Sequence, residues 1–252
     1  MKIAIISDIH GNLPALKAVF DDIRLFGADR IYCLGDLTDG APWNNEVTEL
    51  IRSKGIPTIM GNHDERIAFD HPVFSLSKHS KEEQEARLNT INHTKSTITS
   101  DNKAFLAGLP ASIRLTVESV TILLVHGSPG SNEEYIYDQH EESALMKMLN
   151  DREADVMVCG HTHLSFIRLL SAEETVKPKL VINAGSVGRS KEQDRKACYL
   201  QLNINEGDDI ESATVVPVIC KVDYPIGETI EGIRNSAVPD FYADFLEQEQ
   251  RA

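Results

Sequence analysis

The sequence predicts an α/β protein with helices layered against strands, and three observations predict it. Six short apolar runs, at residues 3–6, 31–34, 58–60, 122–125, 156–159 and 180–182, read as buried strands bounded by glycine and polar residues. Patterns of helical period lie between them, and strands alternating with helices mean a layered α/β fold. Each run ends in a small or polar motif, and in such folds functional sites gather at the carboxyl ends of strands. Six such ends place their motifs around one cleft.

The elements follow in order. The first run leads into Ser7-Asp8-Ile9-His10. Asn12 then caps a helix through Leu16, Val19, Phe20 and Ile23, with Pro14 in its first turn. The second run leads into Gly35-Asp36, and Val47, Leu50 and Ile51 mark the next helix. The third run leads into Gly61-Asn62-His63-Asp64. Residues 65–109 are polar, with few apolar runs, and read as a helical insertion. It is either a lid on the site or a solvated helix pair that only packs. The fourth run leads into His126-Gly127, and Ala144, Leu145, Met148 and Leu149 form a further helix. The fifth leads into Gly160-His161-Thr162-His163 and the sixth into Asn183-Ala184-Gly185-Ser186. A strand-like run at 214–220 precedes a C-terminal helix at 241–250 that packs on the outside. The 252 residues are read as a single domain, 1–252, with the insertion at 65–109 and a C-terminal extension at 221–252.

Composition narrows the function. The formal net charge of -14 disfavours binding to nucleic acid backbones and to anionic membranes. The four cysteines include no CxxC pair, and Cys33 and Cys159 read as small buried hydrophobes rather than a disulfide framework. The first apolar run is too short for a signal-peptide core, and no stretch is long enough to span a bilayer. A cytoplasmic protein is expected.

Five of the nine histidines, His10, His63, His126, His161 and His163, lie at run ends together with Asp8, Asp36 and Asn62. His71, His79, His93 and His140 lie in polar stretches and read as solvated. Imidazole with carboxylate and amide oxygen, and no thiolate, suits Mn, Fe, Zn, Co or Ni. The pairs Asp8/His10 and His161/His163 share a two-residue spacing. Asp8 and His10 reach one ion only if the strand has ended and turned; the second pair permits two adjacent ions, each taking one histidine. Two divalent ions against Asp8 and Asp36 leave about two positive charges, enough to neutralise a phosphoryl group and acidify water. A bridging hydroxide then attacks phosphorus in line, with no protein nucleophile.

The ordered set Asp8-Ile9-His10, Gly35-Asp36-Leu37-Thr38-Asp39, Gly61-Asn62-His63-Asp64, Val125-His126-Gly127 and Gly160-His161-Thr162-His163 resembles the signature of the calcineurin-like metallophosphoesterases, in particular their bacterial single-domain branch. Asn183-Ala184-Gly185-Ser186-Val187-Gly188 resembles that branch's NPGSVG segment with Ala184 in place of proline, and Val222-Asp223-Tyr224 also looks like it. The resemblance implies a four-layer αββα sandwich of two mixed sheets. It assigns Asp8, His10 and His163 to one metal, Asn62, His126 and His161 to another, and Asp36 to both. It makes His63 a catalytic residue that protonates the leaving oxygen or stabilises the transition state, oriented by Asp39. Asp64 is either a helix cap or a catalytic group.

The implied activity is hydrolysis of a phosphomonoester or phosphodiester of a small molecule or nucleotide, with two divalent ions, manganese first. The partner is then a small phosphorylated substrate. The alternative is a catalytically silent scaffold for protein partners, as a retromer subunit of this fold resembles; such proteins lack the histidine that stands here as His63. A single-metal hydrolase would leave at least three of the seven ligands idle. Gly40 follows Asp39 where the protein phosphatase branch carries arginine, which counts against phosphoprotein substrates. Arg189, Lys191, Arg195 and Lys196 form either a solvated loop or a seat for a second phosphate; Trp43 and Phe69 either stack on a base or pack.

Overall fold

The computed structural model describes residues 1–74, 80–170, 179–205 and 214–247. The described residues form strands β1 (Lys2–Ile6), β2 (Arg30–Cys33), β3 (Ser112–Val117), β4 (Val120–Val125), β5 (Val156–Cys159), β6 (Phe166–Leu170), β7 (Lys179–Asn183), β8 (Ala197–Asn205) and β9 (Thr214–Val222). They build two mixed sheets, one of order β2-β1-β8-β9 and one of order β3-β4-β5-β7-β6. The helices are α1 (Leu13–Phe26), α2 (Asn44–Ser53), α3 (Asn62–Ala68), α4 (Lys81–Thr97), α5 (Ser100–Ala107), α6 (Glu142–Asp151), α7 (Ile226–Arg234) and α8 (Phe241–Glu247). The protein is thus the α/β sandwich that its sequence predicts.

The two-residue period of the strands makes the layers. In β1, Ile3 and Ile5 join the core between the sheets, while Ala4 and Ile6 face α1 and α2. In β4 and β5, Ile122, Leu124, Val156 and Val158 enter that same inter-sheet core. Their neighbours Leu123, Val125, Met157 and Cys159 pack instead with Leu145 and Leu149 of α6. Both faces of each sheet are therefore covered, and the continuous apolar runs of β1, β4 and β5 are explained.

Several expectations need correction. Residues 58–60 form no strand. Thr58 makes one parallel bridge to Cys33, and the Met60 amide then turns away to the Pro110 carbonyl at 2.8 Å. Pro57 has no amide to extend the ladder. Of the expected helix at 241–250, α8 accounts for residues up to Glu247, and the rest lies outside the described residues. Nor does α8 pack only on the outside: Tyr242, Ala243 and Leu246 are buried, and it contacts α7 and α4. The insertion is helical and lies next to the site, as expected, and it also packs. Ile91 and Leu106 join the core beneath it, while Glu83 and Arg87 of α4 line a cleft beside the metal-ligand motifs.

Helix α1 begins as its sequence predicts. Asn12 accepts the Ala15 amide at 3.1 Å, proline stands in the first turn, and Gly27 ends the helix in the left-handed region at φ 69°. Asn12 also donates to the Gly188 carbonyl at 2.9 Å and accepts from the Thr229 hydroxyl at 2.9 Å. One side chain thus ties α1, α7 and the glycine-rich loop after β7 together. No helix among the described residues is long and apolar enough to cross a membrane.

Candidate metal centre

The run-end motifs converge. After β1 the chain turns at once: Asp8 and His10 have φ 53° and 49°. Asp36, Asp39, His161 and His163 lie in the same left-handed region, at φ 53°, 67°, 65° and 62°. Among the described residues, six of the ten non-glycine residues with positive φ are thus candidate site residues. Such backbone is costly and persists where the surroundings over-determine it. Here the loops lock one another: the amides of Ile9 and His10 both donate to the Asp36 carbonyl, at 2.8 and 3.0 Å. The glycine-rich segment clasps the same loop. Ser186 Oγ donates to the Asp8 carbonyl at 2.7 Å, and the Gly188 amide does so at 3.1 Å. Ala184 donates its amide to Cys159 O at 2.9 Å, a bond that proline at this position could not make.

Glycine is required where the loops cross. A Cβ on Gly61 would collide with the Asp36 carboxylate, and one on Gly160 with Ser7 Oγ and the Asp8 carboxylate. Gly61 and Gly160 therefore make room for carboxylates rather than turns, since neither has positive φ.

Each carboxylate is half satisfied. Asp8 Oδ2 accepts from Ser7 Oγ at 2.5 Å and from the His161 amide at 3.0 Å. Asp36 Oδ1 accepts the His63 amide at 2.9 Å. The other oxygens, Asp8 Oδ1 and Asp36 Oδ2, are buried without a hydrogen-bond partner. They face imidazole nitrogens: Asp8 Oδ1 lies 3.2 Å from His163 Nε2 and 3.8 Å from His10 Nε2. Asp36 Oδ2 lies 3.4 Å from His126 Nε2 and 3.7 Å from His10 Nε2. Asn62 Oδ1 lies 3.2 Å from His126 Nε2.

The opposite ring nitrogens are all engaged. Nδ1 of His10, His126 and His163 meets the carbonyls of Thr38, Leu34 and Arg189 at 3.0, 2.8 and 2.7 Å. A carbonyl can only accept, so each Nδ1 carries a proton and each Nε2 is turned toward the cluster, where it can give a lone pair to an ion once free of any second proton. His161 is reversed: its Nε2 meets the Glu133 carbonyl at 3.2 Å, which leaves Nδ1 for the cluster. Orphaned carboxylate oxygens facing oriented imidazole lone pairs are the donor chemistry of a divalent cation site. Asp8, His10 and His163 form one group able to hold an ion, Asp36, His126 and His161 a second, and His10, Asp36 and His63 a third.

The electrostatics agree. Burial works against ionisation of Asp8 and Asp36, yet His163 beside Asp8 and His126 beside Asp36 hold both below the usual carboxylate range. Burial likewise lowers His10, His163 and His161, the last to about 3. His126 is the exception: burial opposes its charge, but Asp36 lifts it to about 10.

His63 stands at the edge of the cluster, 15% exposed, with Nδ1 2.8 Å from Asp39 Oδ2. Its Nε2 is left for the cleft. Asp64 sits behind, accepting the amides of Asp36, Leu37 and Gly61 at 2.7, 2.9 and 3.1 Å. Burial and the nearby Asp36 push its pKa up to about 7. Its geometry is that of a loop anchor and helix cap, aimed away from the cleft that His63 faces.

A cleft of about 250 Å³ opens over Asp36, Asn62, His63, His161 and His163. Its walls include residues the sequence reading passed over: Arg87, Tyr135, Tyr137 and Tyr242. Tyr135 stacks on His161 at 4.1 Å and on Tyr137 at 5.9 Å. The basic cluster divides. Arg189 and Lys191 line the cleft, whereas Lys196 pairs with Asp223 at 3.0 Å and Arg195 lies over Phe245 at 4.0 Å. Trp43 packs over Gly232, and Phe69 is half exposed beside His71; neither lines the cleft. His71 is exposed, His93 and His140 are partly exposed, and His79 lies outside the described residues.

The fold and this cluster define a metallophosphoesterase: the chain belongs to the calcineurin-like phosphoesterase superfamily, whose domain model matches residues 1–207. Among its relatives is a Methanocaldococcus jannaschii protein known as uncharacterized protein MJ0912, 29% identical over 97% of this chain and 96% of that one. A metallophosphoesterase from Sphaerobacter thermophilus has a similar structure, with TM-score 0.72 and 25% identity over 98% of each chain. Hypothetical protein PH1004 from Pyrococcus horikoshii shares the fold at TM-score 0.78 and 19% identity, covering 100% of this chain and 99% of that one.

Proposed function

We propose that this chain is a dinuclear metal-dependent phosphoesterase acting on a phosphomonoester or phosphodiester of a small molecule or nucleotide. The observation that carries the reading is the pair of orphaned carboxylate oxygens, Asp8 Oδ1 and Asp36 Oδ2, each facing imidazole nitrogens whose partner nitrogens are engaged. Asp8, His10 and His163 would hold one ion and Asn62, His126 and His161 the other, with Asp36 between them. When bound, two divalent ions, manganese first, supply positive charge that neutralises phosphoryl oxygens and lowers the pKa of water.

The remaining roles belong to the chain itself. His63 Nε2 faces the cleft while Asp39 holds Nδ1, so the ring is fixed to donate a proton to the leaving oxygen. Asp39 keeps Nδ1–H in place without taking that proton, so the proton given up comes from Nε2 and the ring is left as neutral imidazole. With Gly40 after Asp39, no arginine approaches from that loop, and phosphoproteins are disfavoured as substrates.

The test is a substrate panel on manganese-reconstituted protein: p-nitrophenyl phosphate, bis(p-nitrophenyl) phosphate, cyclic nucleotides and dinucleoside polyphosphates. Turnover of at least one ester is expected, with about two ions per chain by metal analysis. His63→Ala is expected to lower kcat by about 10²–10⁴-fold, the usual contribution of a positioned acid, with its metal content kept. No turnover of any ester, together with partner binding indifferent to His63→Ala, would instead identify a scaffold.

A further inference from the structure

Resting on the phosphoesterase reading, we infer that Arg87 and Arg189, which line one cleft with Tyr242, form a subsite for a second phosphoryl group of the substrate. The two arginines come from distant parts of the chain, Arg87 from α4 in the insertion and Arg189 from the loop after β7. Both line the same cleft as Asp36, His63 and Tyr242.

Arg189 is built in rather than splayed into solvent. Its guanidinium lies 4.6 Å from the Tyr242 ring and 5.6 Å from that of Phe245, both on α8. Its Nε is buried without a hydrogen-bond partner, and no carboxylate pairs with it among the described residues. Its backbone carbonyl meanwhile accepts from His163 Nδ1, so the residue is anchored directly behind a candidate metal ligand. Stacking fixes the plane of the guanidinium while leaving its in-plane donors to a ligand.

Arg87 is half-buried and donates to the Phe74 carbonyl at 2.9 Å. Burial, with Arg66 nearby, lowers its pKa, while Asp39 and Glu133 act in the opposite direction. Lys191 adds a third positive group to the wall, against one carboxylate outside the metal cluster, Glu83. Guanidinium groups are the side chains best matched to phosphate oxygens. The phosphoryl group under attack is matched by the metal cluster. A fixed cationic wall across the same cleft then fits an anion on the rest of the substrate, and a substrate with one phosphate would leave it unused.

The experiment compares AMP with ADP and with adenosine 3′,5′-bisphosphate, two spacings of the second phosphate, on the manganese-loaded protein. The expected result is a kcat/KM at least tenfold higher for one of the two-phosphate compounds than for AMP. Arg87→Met and Arg189→Met should each cut that ratio severalfold or more. Arg189→Lys, which keeps the charge, should retain more of it than Arg189→Met. Calorimetric binding of the same three nucleotides gives a readout independent of turnover. A binding preference for two phosphates without hydrolysis would sink the phosphoesterase reading and leave the subsite standing. Equal binding and turnover of all three by the wild type, or a preference untouched in both methionine variants, would overturn the subsite.

Discussion

At the scale of single residues, His126 makes the sharpest statement about metal binding. Asp36 raises its pKa from 6.5 to about 10, so the metal-free protein holds a proton there throughout the neutral range. An ion must displace that proton, so affinity falls as pH drops below about 10 and rises with pH across the neutral range. Calorimetry in buffers of different ionisation enthalpy is expected to count about one proton released per chain near pH 7.5; no release would contradict the His126–Asp36 pairing. Asp39→Asn should lower kcat less than His63→Ala, because it misorients the imidazole without removing it, and steady-state kinetics of the two variants would rank them. These residues were legible in the sequence because each sits at a fixed place in a short motif. Arg87 was not, since a lone arginine in a polar helix has no pattern to separate it from a solvated one. Tyr135 and Tyr137 do show a two-residue spacing, and that alternation was the available signal.

At the scale of elements, Asn12 binds three segments through one amide. Asn12→Ala would remove the α1 cap and leave the Gly188 carbonyl and the Thr229 hydroxyl short of a partner, at a cost of about 2–4 kcal/mol. Urea unfolding checks this, and a loss under about 1 kcal/mol would mean that Asn12 is only a cap. The buried strands β1, β2, β4, β5 and β7 were legible because burial on both faces makes their runs continuously apolar. Strands β3, β6 and β8 went unread. β3 and β6 lie at sheet edges and alternate between exposed and covered positions, and Gln201 and Asn203 interrupt the apolar run of β8. Residues 58–60 misled in the opposite sense, since an apolar run says nothing about where its amides find acceptors.

At the scale of the molecule, the candidate ligands come from both halves of the sandwich. Asp8, His10 and Asp36 follow strands of one sheet; His126, His161 and His163 follow strands of the other. A bound ion therefore fastens the sheets together in addition to their shared core. At a free concentration one hundred times Kd, each ion would add about 2.7 kcal/mol. For a chain of this size that corresponds to roughly 5–10 °C in Tm. Scanning calorimetry of chelated and manganese-loaded protein should show that gap. Equal melting temperatures would argue that the cluster binds no ion tightly. The net charge of -14 stands outside this account, because the cationic wall at Arg87, Arg189 and Lys191 sets the local field where a substrate enters.

The pairing of β1 with β8 has a consequence for how the chain is made. Ile3 lies opposite Leu202, so the strand that leads into Asp8 and His10 gains β2 early on one edge but waits for most of the chain before β8 exists to cover the other. During translation the first two candidate ligands leave the ribosome long before His161 and His163, and β1 meanwhile presents an open edge able to pair with other nascent chains. Half a site would be present for most of synthesis and would hold metal poorly, so capture of an ion would report that the segment carrying His161 and His163 has docked.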